Sequence, residues 1–154
     1  MSQKSQKLYP IIGTGIYILN DKAELLLMKR ISPNGPGTWS PAGGHLEFGE
    51  AFDDCVRREA KEEWGIDVGN IRLLGLTNDI YQANKHSVTL HFACSITKGE
   101  PTITEPHNFT EIGWFKLNNL PSPLFHPVAN FLQTEFDCFC GSGKKYKKCH
   151  RIAT

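Results

Sequence analysis

The pattern of apolar and polar residues near the start of the chain predicts a β-hairpin. Residues 11–20 (IIGTGIYILN) are rich in β-branched side chains, residues 24–30 (ELLLMKR) are largely apolar, and the turn signal NDK at 20–22 separates them. Such runs on either side of a turn are typical of paired strands. Residues 31–44 contain too many glycines and prolines for regular structure and are predicted to form a loop.

Residues 51–64 show the spacing of an amphipathic helix. They contain neither proline nor glycine, and Phe52, Val56 and Ala60 recur every four residues, which places them on one face of a helix. Gly65 follows directly and suits a helix end, because glycine readily adopts left-handed backbone.

The second half of the chain predicts further strands and a second helix. Strands are expected over 71–81, 86–96 and 111–117, and a helix over 123–136, where Pro127 is tolerated in the first turn. Together the elements predict an α+β sandwich with a mixed sheet, one central helix, one C-terminal helix and a tail.

Length and composition fit a soluble globular protein. The chain has 154 residues, of which 40% are hydrophobic and 21% charged, enough for one domain with a small appendage. No apolar run approaches the ~20 residues of a membrane-spanning helix, and the polar start lacks the apolar core of a signal peptide. We expect a cytoplasmic protein that does not contact membranes.

Charge divides the chain into two parts. Residues 1–135 carry 12 basic and 15 acidic side chains, whereas residues 136–154 carry five basic and one acidic. This asymmetry predicts a main domain over 1–135 and a tail with a separate task. Cys55 and Cys94 lie in apolar or helical surroundings and are expected to be reduced core thiols.

Three glutamates crowd one face of the predicted helix. Glu59, Glu62 and Glu63 are spaced i, i+3 and i+4, so their like charges weaken the helix unless a cation lies among them. Carboxylates in this arrangement suit Mg²⁺, which prefers oxygen ligands. The alternative is a solvated acidic face relieved by the basic side chains of Arg57, Arg58 and Lys61.

The frame around these glutamates favours the metal. Residues 44–66, GHLEFGEAFDDCVRREAKEEWGI, resemble the Nudix box G-x5-E-x7-R-E-U-x-E-E-x-G-U, in which U is a bulky aliphatic residue. Eight positions match: Gly44, Glu50, Arg58, Glu59, Glu62, Glu63, Gly65 and Ile66. Ala60 at the first U position is the one departure. The wider resemblance covers about residues 10–132, is greatest to the MutT-like nucleoside triphosphate diphosphatases, and implies a Nudix-type α/β/α sandwich.

The resemblance also implies roles for these residues. Mg²⁺ or Mn²⁺ would be held by Glu59, Glu62, Glu63 and the carbonyl of Gly43, and an ion pair between Glu50 and Arg58 would fix the loop against the helix. The metal would neutralise charge on the phosphoryl group and activate water. Glu59 is the first choice of general base, and a glutamate from a later loop, Glu111 or else Glu105, is the alternative.

The expected reaction is cleavage of nucleoside or deoxynucleoside 5′-triphosphates to monophosphate and pyrophosphate. Two alternatives stay open. One is hydrolysis of another nucleoside diphosphate derivative, such as a dinucleoside polyphosphate or capped RNA. The other is a nucleotide-sensing module without catalysis.

Several residues outside the acidic helix are candidates for substrate binding. Arg30 would hold a phosphate, Gly44 and His45 follow the loop, and Trp39 and Phe109, with Trp114, are candidates to stack on a base; each has an ordinary surface, loop or core role as its alternative. His86 and His91 lie five apart on one strand and so point to opposite faces; which of them faces the cleft stays open.

The tail carries a second metal pattern. The segment CFCGSGKKYKKCH (138–150) has the spacing C-x-C-x8-C-H, and three thiolates with one imidazole complete a tetrahedral Zn²⁺ shell. It resembles the SEC-C motif of the SecA translocation ATPase, which implies Cys138, Cys140, Cys149 and His150 as ligands; the alternative is an unstructured basic tail.

The tail also suggests a task outside catalysis. SEC-C modules contact other proteins, so we expect a protein or ribosome-associated partner, with non-specific nucleic-acid contact as the alternative. A homodimer stays open. Since the catalytic candidates all lie in the main domain, deletion of residues 137–154 is expected to spare hydrolysis.

Overall fold

The computed structural model describes residues 8–81 and 84–149. Along these residues the elements are β1 (Ile11–Tyr17), β2 (Glu24–Arg30), β3 (Trp39–Ser40), α1 (Phe52–Trp64), β4 (Asp67–Ile80), β5 (His86–Lys98), β6 (Phe109–Lys116), α2 (His126–Gln133) and α3 (Tyr146–Cys149). Within them, no helix is long and apolar enough to cross a membrane.

The strands form two three-stranded sheets. In the first, with the order β1-β5-β4, β1 runs parallel to β5 and β4 runs antiparallel to it. The second sheet is antiparallel throughout, with the order β3-β2-β6. The predicted α+β fold with a mixed sheet is therefore confirmed. The second sheet was not predicted from the sequence.

The predicted hairpin is correct at its turn and wrong beyond it. The side-chain oxygen of Asn20 accepts the backbone N–H groups of Lys22 and Glu24 at 3.0 and 2.9 Å, which closes the turn. The two strands then separate into different sheets. Both faces of β2 are buried, because alternate residues of a strand point to opposite sides and here both sides meet a core.

The first helix matches its prediction closely. Gly65 ends α1 in the left-handed conformation at φ 71°, and its N–H donates to the carbonyl of Lys61 at 3.1 Å. Val56 and Ala60 are buried, whereas Phe52 is 46% exposed at the first turn. The second helix is shorter than the predicted 123–136, although its proline does lie in the first turn.

Two hydrophobic cores lie on opposite faces of the strands. The helix-side core contains side chains from α1 and both sheets, including Ile16, Met28, Val56, Trp64 and Phe92. The tail-side core contains Tyr17, Leu25, Leu27, Phe131, Phe136, Cys138, Phe139 and Tyr146. The three layers form the α/β/α sandwich. Four tail residues belong to the second core, so the tail packs as part of the main fold.

Candidate active site

Two adjacent glycines let the glutamates of α1 lie directly against the backbone. A Cβ atom at Gly44 would overlap the carboxylate of Glu59, and one at Gly43 would overlap the carbonyl of Thr14. The N–H of Gly43 donates to the Glu63 carboxylate at 3.0 Å. The two glycines therefore form a cradle for these side chains that no larger residue would leave open.

Arg58 joins the preceding loop to the helix. Its guanidinium donates two hydrogen bonds to Glu50, at 2.7 and 2.9 Å, and one to the carbonyl of His45 at 3.0 Å. A third nitrogen donates to Glu59 at 2.7 Å and to Glu62 at 3.2 Å. Hydrogen bonds from Arg58 are the main reason that the pKa of Glu50 falls to about 2. The arrangement holds the loop as the family resemblance implies.

Two of the three helix glutamates are buried. Glu59 and Glu63 are each only 7% exposed, while Glu62 is exposed. Burial raises the pKa of Glu63 to about 8, and burial also raises the pKa of Glu59 against the opposing effect of Arg58. Neighbouring buried carboxylates are unfavourable unless a cation compensates them. Their oxygen donors fit Mg²⁺ or Mn²⁺. Gly43 contacts Glu63 through its N–H group, and metal binding by the carbonyl of Gly43 stays a prediction.

A cavity of about 330 Å³ opens beside Glu63. Its polar end contains Arg30, whose guanidinium donates to the carbonyl of Asn34 at 2.9 Å and to two serine hydroxyls, and lies 4.3 Å from the ring centre of Phe125. Among the described residues, Arg30 has no carboxylate within 4.0 Å. Burial lowers the pKa of Arg30. This unpaired cation is suited to an anion in the cavity.

Of the predicted aromatic contacts, only one reaches the cavity. Phe109 lines it, as do Gly43, Gly44 and His45. Trp39 instead packs edge-on against Phe115 in the tail-side core, and Trp114 packs against the helix-side core. The cavity also contains two aromatic side chains that the pattern did not single out for stacking, Tyr81 and Phe125.

The structure does not bring Glu111 to the cavity. Glu111 lies on β6 opposite Lys29, to which it is ion-paired at 2.8 Å, and both side chains are partly exposed. Glu111 pairs with Lys29 in the regular register of β2 and β6. A β-bulge follows between Lys29 and Arg30, and Arg30 enters the cavity. Burial is the largest cause of the raised pKa values of Glu59 and Glu63, and the negative charge of Glu105 is a smaller one. Thr104, the residue before Glu105, donates its N–H to the backbone carbonyl of Glu63 at 3.2 Å, so the loop that carries Glu105 lies against α1.

A buried polar chain contributes Tyr17, Thr89 and His91 to the lining of the cavity. Of these, only His91 was a candidate from the sequence. The Tyr17 hydroxyl lies 2.9 Å from Nδ1 of His91, and Nε2 of His91 lies 2.9 Å from the hydroxyl of Thr77. Thr77 and Thr89 each donate to one carboxylate oxygen of Asp79 at 2.7 Å, and Asn130 donates to the other at 2.9 Å.

The direction of each bond in this chain is fixed. Because the single proton of Thr77 goes to Asp79, His91 donates from Nε2 and accepts the Tyr17 proton at Nδ1. Burial lowers the pKa of His91 to about 3, so the ring is neutral. His91 lines this cavity, and His86 instead bonds Asn78 at 2.6 Å. The sequence signal was His91, which was left open beside His86, and the threonines Thr77 and Thr89 that bond Asp79 are paired across β4 and β5.

The three tail cysteines converge as the spacing predicts. Their sulfur atoms lie within 4.8 Å of one another, and those of Cys140 and Cys149 are 3.6 Å apart. Zn–S bonds of about 2.3 Å in a tetrahedron place sulfurs roughly 3.8 Å apart. Burial opposes ionisation at Cys140, but hydrogen bonds from Ser142 and the neighbouring thiols lower its pKa to about 7. The donor set fits Zn²⁺; His150 lies outside the described residues.

The other two cysteines are free thiols. Cys55 is buried beside Thr14, and Cys94 packs against the helix-side core. Burial raises their pKa values to about 11 and about 12. Neither is arranged for reactivity.

Comparison with protein families identifies both parts of the chain. A family model of the NUDIX domain matches residues 10–134. The chain belongs to the Nudix family of hydrolases. A second family model, of the SEC-C motif, matches residues 137–151. Nudix enzymes generally use divalent metal ions, in agreement with the carboxylate donors of α1.

Relatives with known activities cover most of this Nudix chain. It is 29% identical over 125 residues to the NAD-capped RNA hydrolase NudC of Stutzerimonas stutzeri and 30% identical to that of Pseudomonas aeruginosa. Each match covers 80% of this chain but 44% of the relative, so the chain spans less than half the length of these relatives. The crystal structure of a MutT Nudix hydrolase from Burkholderia pseudomallei superposes with a TM-score of 0.75 at 34% identity, over 79% of this chain and 95% of that one.

Proposed function

We propose that the protein is a Mg²⁺-dependent hydrolase of nucleoside diphosphate derivatives, with nucleoside and deoxynucleoside 5′-triphosphates as its first substrates. Cleavage would yield a nucleoside monophosphate and pyrophosphate. The observation that carries the proposal is the pair of buried carboxylates, Glu59 and Glu63, against the Gly43–Gly44 backbone, where Glu63 and Arg30 line the same cavity. Mn²⁺ would serve in place of Mg²⁺.

The carboxylates would divide the work of catalysis. Glu59, Glu62 and Glu63 would hold the metal, which would supply neutralisation of phosphoryl charge and activation of water. A proton acceptor must be ionised. Burial raises the pKa of both Glu59 and Glu63, but at Glu59 the 2.7 Å hydrogen bond from Arg58 opposes this effect. We therefore assign the proton of the attacking water to Glu59, with Glu105 as the alternative.

The cavity would bind the two ends of the substrate differently. Arg30 supplies a positive charge without an ion-pair partner among the described residues, which suits a phosphate. Phe109, Phe125 and Tyr81 supply aromatic faces for a base. Stacking tolerates any base, so the base preference would come from the surrounding polar groups.

The test is pyrophosphate release from a panel of nucleoside and deoxynucleoside triphosphates with Mg²⁺. Turnover of at least one member, dependent on the metal, is the expected result. Absence of turnover across the whole panel, with nucleotide bound, would leave the protein as a nucleotide-sensing module instead.

A second candidate substrate class follows from a groove beside the cavity. This groove, of about 530 Å³, shares Asn34, His45, Tyr81 and Ser87 with the cavity and continues past Lys85. A two-nucleoside substrate could occupy both spaces. The NAD-capped RNA hydrolases among the relatives favour this class as well.

The same panel separates the two classes. It should therefore include NAD, dinucleoside polyphosphates and RNA with an NAD or triphosphate end. A kcat/KM for a dinucleotide that exceeds every triphosphate value by about tenfold or more would select the second class.

The tail would have a separate role as a contact for a partner protein. Lys145 pairs with Asp137 at 2.7 Å and Lys147 with Glu135 at 3.2 Å. Lys144 and Lys148 have no ion pair among the described residues and suit an acidic surface, such as that of a ribosome-associated protein. Copurification of a partner with the wild type, but not with a variant that lacks both charges, tests this.

A further inference from the structure

The tail reaches the wall of the catalytic cavity through one aromatic ring. Phe139 stacks on Tyr17 with ring centres 5.1 Å apart and planes 13° from parallel. Phe139 is 7% exposed and Tyr17 is 1% exposed, so the contact is buried. Tyr17 lines the cavity and donates its hydroxyl proton to His91. One buried contact thus separates the tail from the space assigned to substrate.

A second aromatic path runs parallel to the first. Phe136 stacks on Phe131 with ring centres 4.1 Å apart, and Phe131 stacks on His91 at 4.0 Å with planes only 4° from parallel. His91 and Tyr17 are the two cavity residues joined by the 2.9 Å hydrogen bond. Tail residues therefore support both partners of that bond.

The cysteine cluster fixes the position of this aromatic surface. Phe139 lies between Cys138 and Cys140 in the sequence, and the thiols of both residues converge with that of Cys149. The fold of the segment is closed by backbone hydrogen bonds from Cys138 to Lys144 and from Tyr146 to Phe136, at 2.8 and 3.0 Å. A metal bound by the three sulfurs would hold Phe139 in place through both of its neighbours.

We propose that the tail is a positioning element of the substrate cavity, in which the metal-closed segment holds Phe139 against Tyr17 and so sets the Tyr17–His91 wall. The inference rests on the proposed function, because it assumes that substrate occupies this cavity. It also reverses the expectation that the tail is dispensable. Phe139 lies far along the chain from the carboxylate helix and touches no catalytic group, so its loss changes binding more than chemistry.

The test compares nucleotide binding and kinetics in three variants. Phe139→Ala removes the ring, Phe139→Tyr retains it, and Lys145→Ala changes an exposed tail residue whose side chain pairs with Asp137. Phe139→Ala is expected to raise both KM and the nucleotide dissociation constant by about tenfold with kcat within about threefold, since small displacements of a binding wall have effects of this order. Phe139→Tyr should restore most of the affinity, and Lys145→Ala should match the wild type.

Direct titration of the nucleotide makes failure of this inference distinguishable from failure of the proposed function. A wild type that binds no nucleotide would refute the proposed function. A folded Phe139→Ala variant that binds like the wild type would refute the positioning role alone, as would a loss of kcat at constant KM. If Phe139→Ala does not fold, Phe139→Leu keeps most of the volume without the ring and decides the question by the same criteria.

The metal is tested separately through Cys140→Ser. The Cys140 thiol is exposed and lies outside the tail-side core. Its replacement leaves the Phe139 side chain in the sequence. Lower zinc content together with weaker nucleotide binding is the expected result. Zinc-depleted protein with wild-type nucleotide affinity would show that the segment holds Phe139 without the metal and would overturn that part of the proposal.

Discussion

Two walls of the cavity are built in opposite ways. The wall proposed to bind metal comes from one continuous stretch, residues 44–66, in which the loop and helix are joined by Arg58 and Glu50. The second wall combines Tyr17 and His91 with support from the distant tail. A local motif can therefore specify the chemistry, whereas the shape of the substrate space depends on contacts between remote parts of the chain.

The walls also differ in whether their buried polar groups already have partners. Glu59 and Glu63 are buried with raised pKa values, so they gain from an added cation. The polar atoms of the Tyr17–His91–Thr77–Asp79 chain are already satisfied by one another. The first wall is arranged to bind a metal, and the second is arranged to hold a shape.

Replacement of Gly44 by alanine should have the largest effect, because it fills the cradle of the Glu59 carboxylate. We expect kcat/KM to fall by at least about 100-fold, since a displaced catalytic group loses its alignment, while the thermal transition stays cooperative. Gly75→Ala is the matched control, because a Cβ atom there makes only an ordinary 3.5 Å contact with Phe131. Near wild-type activity of Gly44→Ala would show that Glu59 need not lie against the loop.

The buried His91 of the second wall should make the free energy of unfolding depend on pH. The folded pKa of His91 is about 3, below its unfolded value near 6.5, so the unfolded chain binds the proton first as the pH falls. Between pH 7 and pH 5 the wild type should lose about 2 kcal/mol of unfolding free energy beyond the loss in His91→Gln. Urea unfolding at both pH values measures this, and equal losses would mean that His91 is not held neutral.

Arg30 and its neighbour Lys29 offer a test of which sheet face contacts substrate. Arg30 lines the cavity, whereas Lys29 is paired with Glu111 outside it. Arg30→Met should raise KM for nucleoside triphosphates by about tenfold, because one charge-assisted contact to phosphate is lost. Lys29→Met is the control and should leave KM unchanged. The same KM in both variants would remove Arg30 from the binding site.

The smallest effect is expected from the exposed charges of the tail. Lys145 pairs with Asp137 at 2.7 Å on the surface, and such pairs contribute little to stability. Lys145→Ala should shift the melting temperature by no more than about 2 °C, well below the effect of Phe139→Ala. A larger shift for Lys145→Ala than for Phe139→Ala would mean that charge, not the aromatic core, attaches the tail.

The parts that the sequence predicted lie within short stretches of the chain. The helix over 51–64 and its end at Gly65 follow from residue spacing. The approach of Arg58 to Glu50 is what the resemblance to the Nudix box implied. The cysteine convergence follows from one short segment with a characteristic spacing.

The remaining features depend on contacts that no local pattern encodes. Long-range pairing of β6 with β2 places Glu111 beside Lys29, and packing against Phe115 turns Trp39 away from the cavity. The partners of the Tyr17–His91 bond lie 74 residues apart in the chain. The charge difference at residue 135 indicated a separate tail, but the apolar residues Phe136 and Phe139 pack into the shared core.

The proposed hydrolysis depends on Glu63, a carboxylate of α1 buried at the cavity, and not on the exposed Glu111 of β6. The most direct measurement is pyrophosphate release by Glu63→Gln and by Glu111→Gln, each with Mg²⁺ at saturating nucleotide. We expect a loss of at least about 1000-fold for Glu63→Gln and wild-type turnover for Glu111→Gln. Wild-type turnover by Glu63→Gln, or an equal loss in both variants, would contradict this assignment.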